Sequence, residues 1–311
     1  MLPDFGFPQD DAHSTHDNHT ALTLPEELLL LSMRDDNGQI IDLMAANAVG
    51  YGLAGAVLME LLLRGDIRIH SDKTCEPVSE GVPEDALLNA SLQLMTKRKR
   101  KNKKPYHVQE WVLTFYAYAS PVKTALKSLV EKGIVRIEEK KTLGIFTTKR
   151  YPLANAALKR SVENRLWSVL RGRDASETVQ QSAVYSMHST NLPKTLLLLV
   201  LLKSSKIAFA ALCNDHTGEH PSQEDFSALL TEALQRLKTQ GFLQDLHDEL
   251  GEQVEQEERQ ERIADMLEMV SDAAWLMSDV IDSISDAVDG FSDGGGADGG
   301  GDGGGGGGGG D

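Results

Sequence analysis

The 311 residues, 41% of them hydrophobic, are enough to bury a substantial core, so a small scaffold held by disulfides or metal is excluded. The net charge of −16 argues against a general binder of anions, but it is unevenly spread: residues 245–289 carry 15 acids against Arg259 and Arg262, and Asp293, Asp298, Asp302 and Asp311 follow in the tail. Residues 1–244 are therefore close to neutral, and an anionic membrane or nucleic acid stays open as a partner.

The opening MLPDFGFPQDDAHSTHDNH has acids where a secretory signal needs bases, and too little apolar content to repay ordering. It reads as a disordered acidic arm. His13, His16 and His19 recur there every third position, but an unstructured arm does not preorganise metal ligands.

From Leu22 the pattern becomes LTLPEELLLLSMRDDNG. Thr23 is a capping residue, Pro25 sits where no amide is needed, and Glu26 and Glu27 meet the positive end of the dipole. The four leucines 28–31 supply more than one buried face, so this reads as a core helix ended by the Asp36-Asn37-Gly38 turn. A second helix, about 45–64, carries Gly50, Gly52, Ala54, Gly55 and Ala56, which allow close backbone approach at the centre of the fold.

An internal echo follows. LMELLLRGDIRI (58–69) resembles LKSLVEKGIVRI (126–137): a helix, a glycine cap, then a short strand in which Ile67 alternates with Ile69, or Val135 with Ile137. Between the copies, Lys97, Arg98, Lys99, Arg100, Lys101, Lys103 and Lys104 place seven cations in eight residues, read as an exposed loop closed by Pro105. It suits an anionic surface, or the acidic segment 245–289 of this chain or of another copy.

The second copy continues into a β-hairpin turning near Leu143 and Gly144, with a return strand 145–151. Leu143, Ile145 and Phe146 lie at or beside its tip, flanked by Lys140, Lys141, Lys149 and Arg150. An apolar point with a basic collar can enter lipid while its charges meet acidic headgroups.

Further helices are expected over 153–171, with Ala157, Leu158, Val162, Leu166 and Val169 inward, over 195–213 as a buried helix or helix pair, and over 226–240 and 254–269. Trp275, Leu276, Val280, Ile281, Ile284 and Val288 fall near helical spacing, and after Phe291 the chain is nearly all glycine and aspartate. The most apolar run, Leu196–Leu202, is far short of the ~20 residues that span a bilayer. Cys75 and Cys213 match no metal-ligand spacing and read as reduced, packed thiols of a cytosol.

At LTLPEELLLLSMRDDNG, AGAVLMELLLRGDIRI, LVEKGIV and LLVLLKSS the chain resembles the Golgi phosphoprotein 3 family of Golgi adaptors and bacterial relatives, with the blocks in the same order. The resemblance implies a mainly α, compact helical domain, to which the chain's own pattern adds one or two short β-hairpins and a disordered glycine-rich C-terminal tail. It implies a cytoplasmic protein, peripheral on the cytosolic face of a membrane, that binds phosphatidylinositol 4-phosphate without catalysis. The family's headgroup tryptophan falls near Leu43–Ala45 and its basic positions on Ala54, Ala119 and Val122, leaving Lys123 and Lys127 as neighbouring cations. The expected organisation is an arm over 1–21, the family-like domain over 22–245, an acidic helical extension over 246–290 and a Gly/Asp tail over 291–311.

No nucleophile elbow, HExxH, paired CxxC or phosphate loop is present, so no enzyme, cofactor or metal site is expected. The lesser reading is a winged helix on nucleic acid, with Ser120–Lys132 as recognition helix and 142–150 as wing; the body has too little positive charge to favour it. Protein cargo and weak self-association stay open.

Overall fold

The leucine-rich segment after Thr23 folds as helix α1, Leu24–Ser32, and all nine of its residues are buried. Its orphan amides are met by carboxylates: Thr23 N donates to Glu26 Oε2 at 2.7 Å and Leu24 N to Glu60 Oε2 at 2.8 Å. The structure, a computed structural model, describes residues 21–41, 46–78, 82–101, 103–142, 146–154, 156–171, 191–213 and 221–238, with 279, 280 and 283. The expected arm, the helix over 254–269 and the glycine tail lie outside the described residues.

Helix α1 stops before the turn expected to end it. Ser32 Oγ donates back to Leu29 O at 2.8 Å, a local bond that competes with helix continuation. Met33 is extended and pairs with Ile40 in an isolated bridge, and Gly38 turns the chain at φ +71° between them.

Helix α2, Ala46–Leu63, lies against α1. A Cβ on Gly50 would stand 2.6 Å from Tyr116 Cε2, and one on Gly52 would meet the Ser205 hydroxyl, so these glycines are where neighbouring helices come closest. The chain continues through β1 (Ile67–Ile69), β2 (Thr74–Pro77), α3 (Ala86–Arg100), β3 (Tyr106–His107), α4 (Val108–Tyr118) and α5 (Pro121–Glu131). It goes on through β4 (Glu138–Thr142), β5 (Phe146–Arg150), α6 (Ala156–Leu170), α7 (Asn191–Ser204), α8 (Ala208–Leu212) and α9 (Gln223–Lys238). The expected mainly α class is what the structure has. Strands β1, β2 and β3 form a small antiparallel sheet, and β4 with β5 the separate hairpin. Helices α7 and α8 are the anticipated buried pair.

Both echo copies end on left-handed glycines, Gly65 at φ +73° and Gly133 at φ +69°. The strands that follow differ. Ile67 and Ile69 lie in β1, whereas Val135 makes a single bridge to Leu153, Ile137 is 50% exposed, and strand pairing starts only at Glu138.

The buried stripe of α6 is Lys159, Val162, Leu166 and Leu170; Ala157 is exposed and Leu158 and Val169 only half-buried, which corrects the expected inner face. Lys159 turns the helix inward because its ammonium donates to Met33 O at 2.8 Å and pairs with Asp35 Oδ1 at 2.6 Å.

The two acids of α1 are 1% and 4% exposed, and both are paired. Glu26 accepts from Ser128 Oγ and Lys132 Nζ, each at 2.6 Å, and Glu27 meets Arg165 Nη2 at 2.5 Å and Lys194 Nζ at 3.4 Å. They tie α1 to the end of α5, to α6 and to α7. Glu27→Ala leaves two cations facing an apolar interior and is expected to cost about 3 kcal/mol in urea unfolding, whereas Lys127→Ala, which loses only an exposed pair, leaves the midpoint nearly unmoved.

Candidate anionic-surface interface

Three groups of cations were expected to face an anionic surface, and local chemistry treats each differently. The run 97–104 is not the loop anticipated for it: Lys97, Arg98, Lys99 and Arg100 form the last turn of α3, capped at Lys101. Lysine and arginine are good helix formers, and their charge is favoured at the negative end of the helix dipole, which offsets their mutual repulsion.

Asp85 starts this helix by accepting from the amides of Leu87 and Leu88, both at 2.9 Å. Leu87, Leu88, Ser91, Leu92 and Met95 form its inner face. At its end, Arg98 lies over the Tyr106 ring, 3.2 Å from the centroid, and its Nε donates to Lys104 O at 3.0 Å. Tyr106 is edge-on to Trp111 at 5.1 Å, and Trp111 Nε1 donates to Cys75 O at 3.0 Å. Lys99 donates to Pro77 O at 2.9 Å and pairs with Glu76 at 3.3 Å. Arg98 and Lys99 are thus spent on the fold, while Lys97, Arg100, Lys101, Lys103 and Lys104 are exposed and have no ion-pair partner among the described residues.

Lys123 and Lys127 are exposed one turn apart on α5, and Lys127 pairs with Glu131 at 3.4 Å. The inner face of this helix is Pro121, Ala125 and Leu129. Ser128 and Lys132, which a recognition helix would offer to nucleic acid, are instead held by Glu26.

In the hairpin, Glu138 is paired with Arg150, Glu139 with Lys149, Lys140 with Thr148 and Lys141 with Thr147. Lys140, Lys141 and Lys149 are exposed and Arg150 is half-buried. Consecutive strand residues point to opposite faces, so Lys140 and Lys141 present charge on both sides. Leu143 and Ile145 lie outside the described residues, as does the side chain of Phe146. The hairpin base is fastened to the turn after α1: Tyr151 N donates to Asn37 O and Leu153 N to Asp35 O, each at 2.9 Å.

The family model for Golgi phosphoprotein 3 (GPP34) matches residues 24–287. The chain belongs to this family. It is 28% identical over 173 residues to vacuolar protein sorting-associated protein 74 of Schizosaccharomyces pombe, covering 49% of each chain. To the protein of the same name from Eremothecium gossypii it is 29% identical over 188 residues, covering 54% of each. The chain therefore spans about half the length of these curated relatives.

The Golgi phosphoprotein 3 match takes in every helix described above. Of the positions where the family resemblance implied pocket cations, Ala54 and Ala119 are buried and Val122 is half-buried, while 43–45, where its tryptophan would fall, lie outside the described residues. Sequence reasoning missed Tyr106, Glu76 and Lys159 as the groups that orient this region. The only signal for Tyr106 was an aromatic directly after Pro105.

Both cysteines are free, and burial pushes the Cys75 thiol up to about 12 and the Cys213 thiol to about 11. An unfolded thiol ionises near ~8.5, so this part of the stability is fully present below that pH and is lost as pH rises toward the folded values. Iodoacetamide at pH 8 is expected to leave both unmodified until the protein unfolds, and as pH is raised Cys213 is expected to react before Cys75. Gly38→Ala is expected to cost about 2 kcal/mol, because φ is +71° and the new Cβ stands 2.6 Å from Tyr151 Cβ. Gly65→Ala, which meets nothing within 4 Å, is expected to cost about 1 kcal/mol in the same urea titration.

Proposed function

We propose that this protein is a non-enzymatic peripheral membrane adaptor that binds an anionic lipid of the phosphatidylinositol 4-phosphate type on a cytosolic membrane face. The observation that carries the reading is the hairpin: Lys140, Lys141 and Lys149 stand exposed on strands that converge on a tip of apolar sequence. Membership in the Golgi phosphoprotein 3 family supports it, and among the described residues no helix is long and apolar enough to cross a membrane.

In this reading Leu143, Ile145 and Phe146 enter the acyl boundary, and Lys140, Lys141, Lys149 and Arg150 stay at headgroup level. Lys123, Lys127 and the free cations at the end of α3 add long-range attraction. Each cation near an acidic surface contributes about 1 kcal/mol, and buried apolar side chains supply the remainder. Because Ala54 and Ala119 are buried apolar residues, headgroup selection rests on charge more than on an enclosed pocket. Protein cargo and weak self-association belong to the same proposal.

Flotation with vesicles tests it. Binding is expected to rise with anionic lipid or phosphatidylinositol 4-phosphate and to fall with salt. Replacing Lys140 and Lys141 by alanine removes two surface cations and is expected to weaken binding roughly 30-fold at low salt. Ile145→Asp with Phe146→Asp should abolish it. Equal recovery on neutral vesicles, or recovery on none, would sink the reading.

A further inference from the structure

At the basic end of α3 only Lys99 has an acidic partner among the described residues, while Lys97, Arg100, Lys101, Lys103 and Lys104 are exposed and have no ion pair there. In the hairpin, Arg150 and Lys149 stand directly across from Glu138 and Glu139, and on α5 Lys127 has Glu131. On α3 the positions 93, 96, 97, 100 and 101 follow helical spacing and line one open groove of about 540 Å³, with Asn89 and Leu92 at one end and Lys97, Arg100 and Lys101 at the other. The groove has a polar stripe of Asn89, Gln93 and Thr96, Leu92 and the exposed Val82 as its apolar lining, and a cationic end braced by Arg98 on Tyr106.

The chain contains the matching charge. Between the end of α9 at Lys238 and the buried Val280 lie 12 acids and two arginines, most densely at Glu252, Glu255, Glu257, Glu258 and Glu261. Both ends of this stretch are attached to the body, since α9 packs on α6 and α8, and Val280 joins the apolar core. From either anchor the middle is about 20 residues away, a reach of roughly 30 Å if helical and 66 Å if extended. A domain of this size is about 45 Å across, so a helical stretch reaches surfaces within roughly 30 Å of an anchor and an extended one reaches most of the body. A doubly anchored segment also meets a surface on its own body at millimolar effective concentration, where weak, parallel ion pairs suffice.

We propose that the acidic stretch 252–268 of this chain docks on the groove along α3, its carboxylates meeting Lys97, Arg100 and Lys101. The docking stands without the lipid reading; its consequence rests on that reading, since the stretch then competes with an anionic membrane for the same cations. Exposed pairs are screened at a Debye length of about 8 Å in physiological salt, so the contact loosens as ionic strength rises.

The test uses the full chain without vesicles. Carbodiimide cross-linking joins amines to carboxylates in contact, and mass spectrometry maps the products. Links from Lys97 or Lys101 to acids in 252–268 are expected, together with acetylation of those two lysines about threefold slower than in about 0.5 M salt. Replacing the five glutamates at 252, 255, 257, 258 and 261 by glutamine should remove most of the protection and weaken the links that Asp265 and Glu268 can still form. Mixing isotopically light and heavy chains separates the cases: light–light and heavy–heavy links alone support docking within one chain, whereas light–heavy links assign the acidic stretch to a second copy and overturn the proposal. Absence of links at the α3 end, or acetylation indifferent to salt and to the glutamine variant, overturns it as well. A flotation assay on the same variant then reads the consequence separately: tighter binding to anionic vesicles is expected. If the links form but no vesicle is bound by either protein, the lipid reading fails and the docking survives.

Discussion

Two carboxylates placed inside an apolar core organise this fold. Glu26 and Glu27 occupy the first turn of α1, where their charge favours the free amides, yet α1 is enclosed on every side. Leaving either carboxylate alone in that interior would be prohibitive, so the surrounding elements each contribute a partner: Ser128 and Lys132 from α5 and its cap, Arg165 from α6, Lys194 from α7. The arrangement fixes rotation as well as proximity. A helix presenting leucines all round has no preferred face, and the directed bonds supply one.

The glycines of α2 complete the centre. Tyr116 of α4 lies where a side chain at position 50 would go, and Ser205 and Leu28 where one at position 52 would go, so three neighbours approach the α2 backbone directly. Around this centre the cation-bearing elements are held stiffly. The end of α3 is braced through Arg98, Tyr106, Trp111 and Phe115 in sequence, each ring within 5.5 Å of the next. The charged groups therefore project from a rigid body.

Much of this was legible in order and type. The α1 cap, the glycine-rich central helix, the two left-handed glycines, the pairing of the two hairpin strands and the paired helices of the leucine-rich run all follow from local rules that depend on adjacent residues. What escaped depends on contacts distant in sequence. Lys159 reads as a solvent-facing residue until Met33 O and Asp35, more than a hundred residues away, draw it inward and rotate the α6 stripe. Likewise the repulsion within 97–104 suggested a loop, because the stacking surface on Tyr106 and the acceptors Glu76 and Pro77 O come from other elements. Glu26 and Glu27 read from the sequence as partners of the helix dipole, since nothing in their own helix reveals that Lys132, Arg165 and Lys194 come from other elements to pair with them. The site followed the same division: which residues carry charge was readable, and which of those charges remain free was not.

The main-chain bonds from Tyr151 to Asn37 and from Leu153 to Asp35 join the root of the hairpin to the segment that leaves α1, with Lys159 clamping the other side of Asp35. A hairpin anchored in this way behaves as a cantilever. Lateral force on its far end is borne at the root by the turn and passed to the buried helix behind it, so the hairpin and the core respond to load as a single stiff piece.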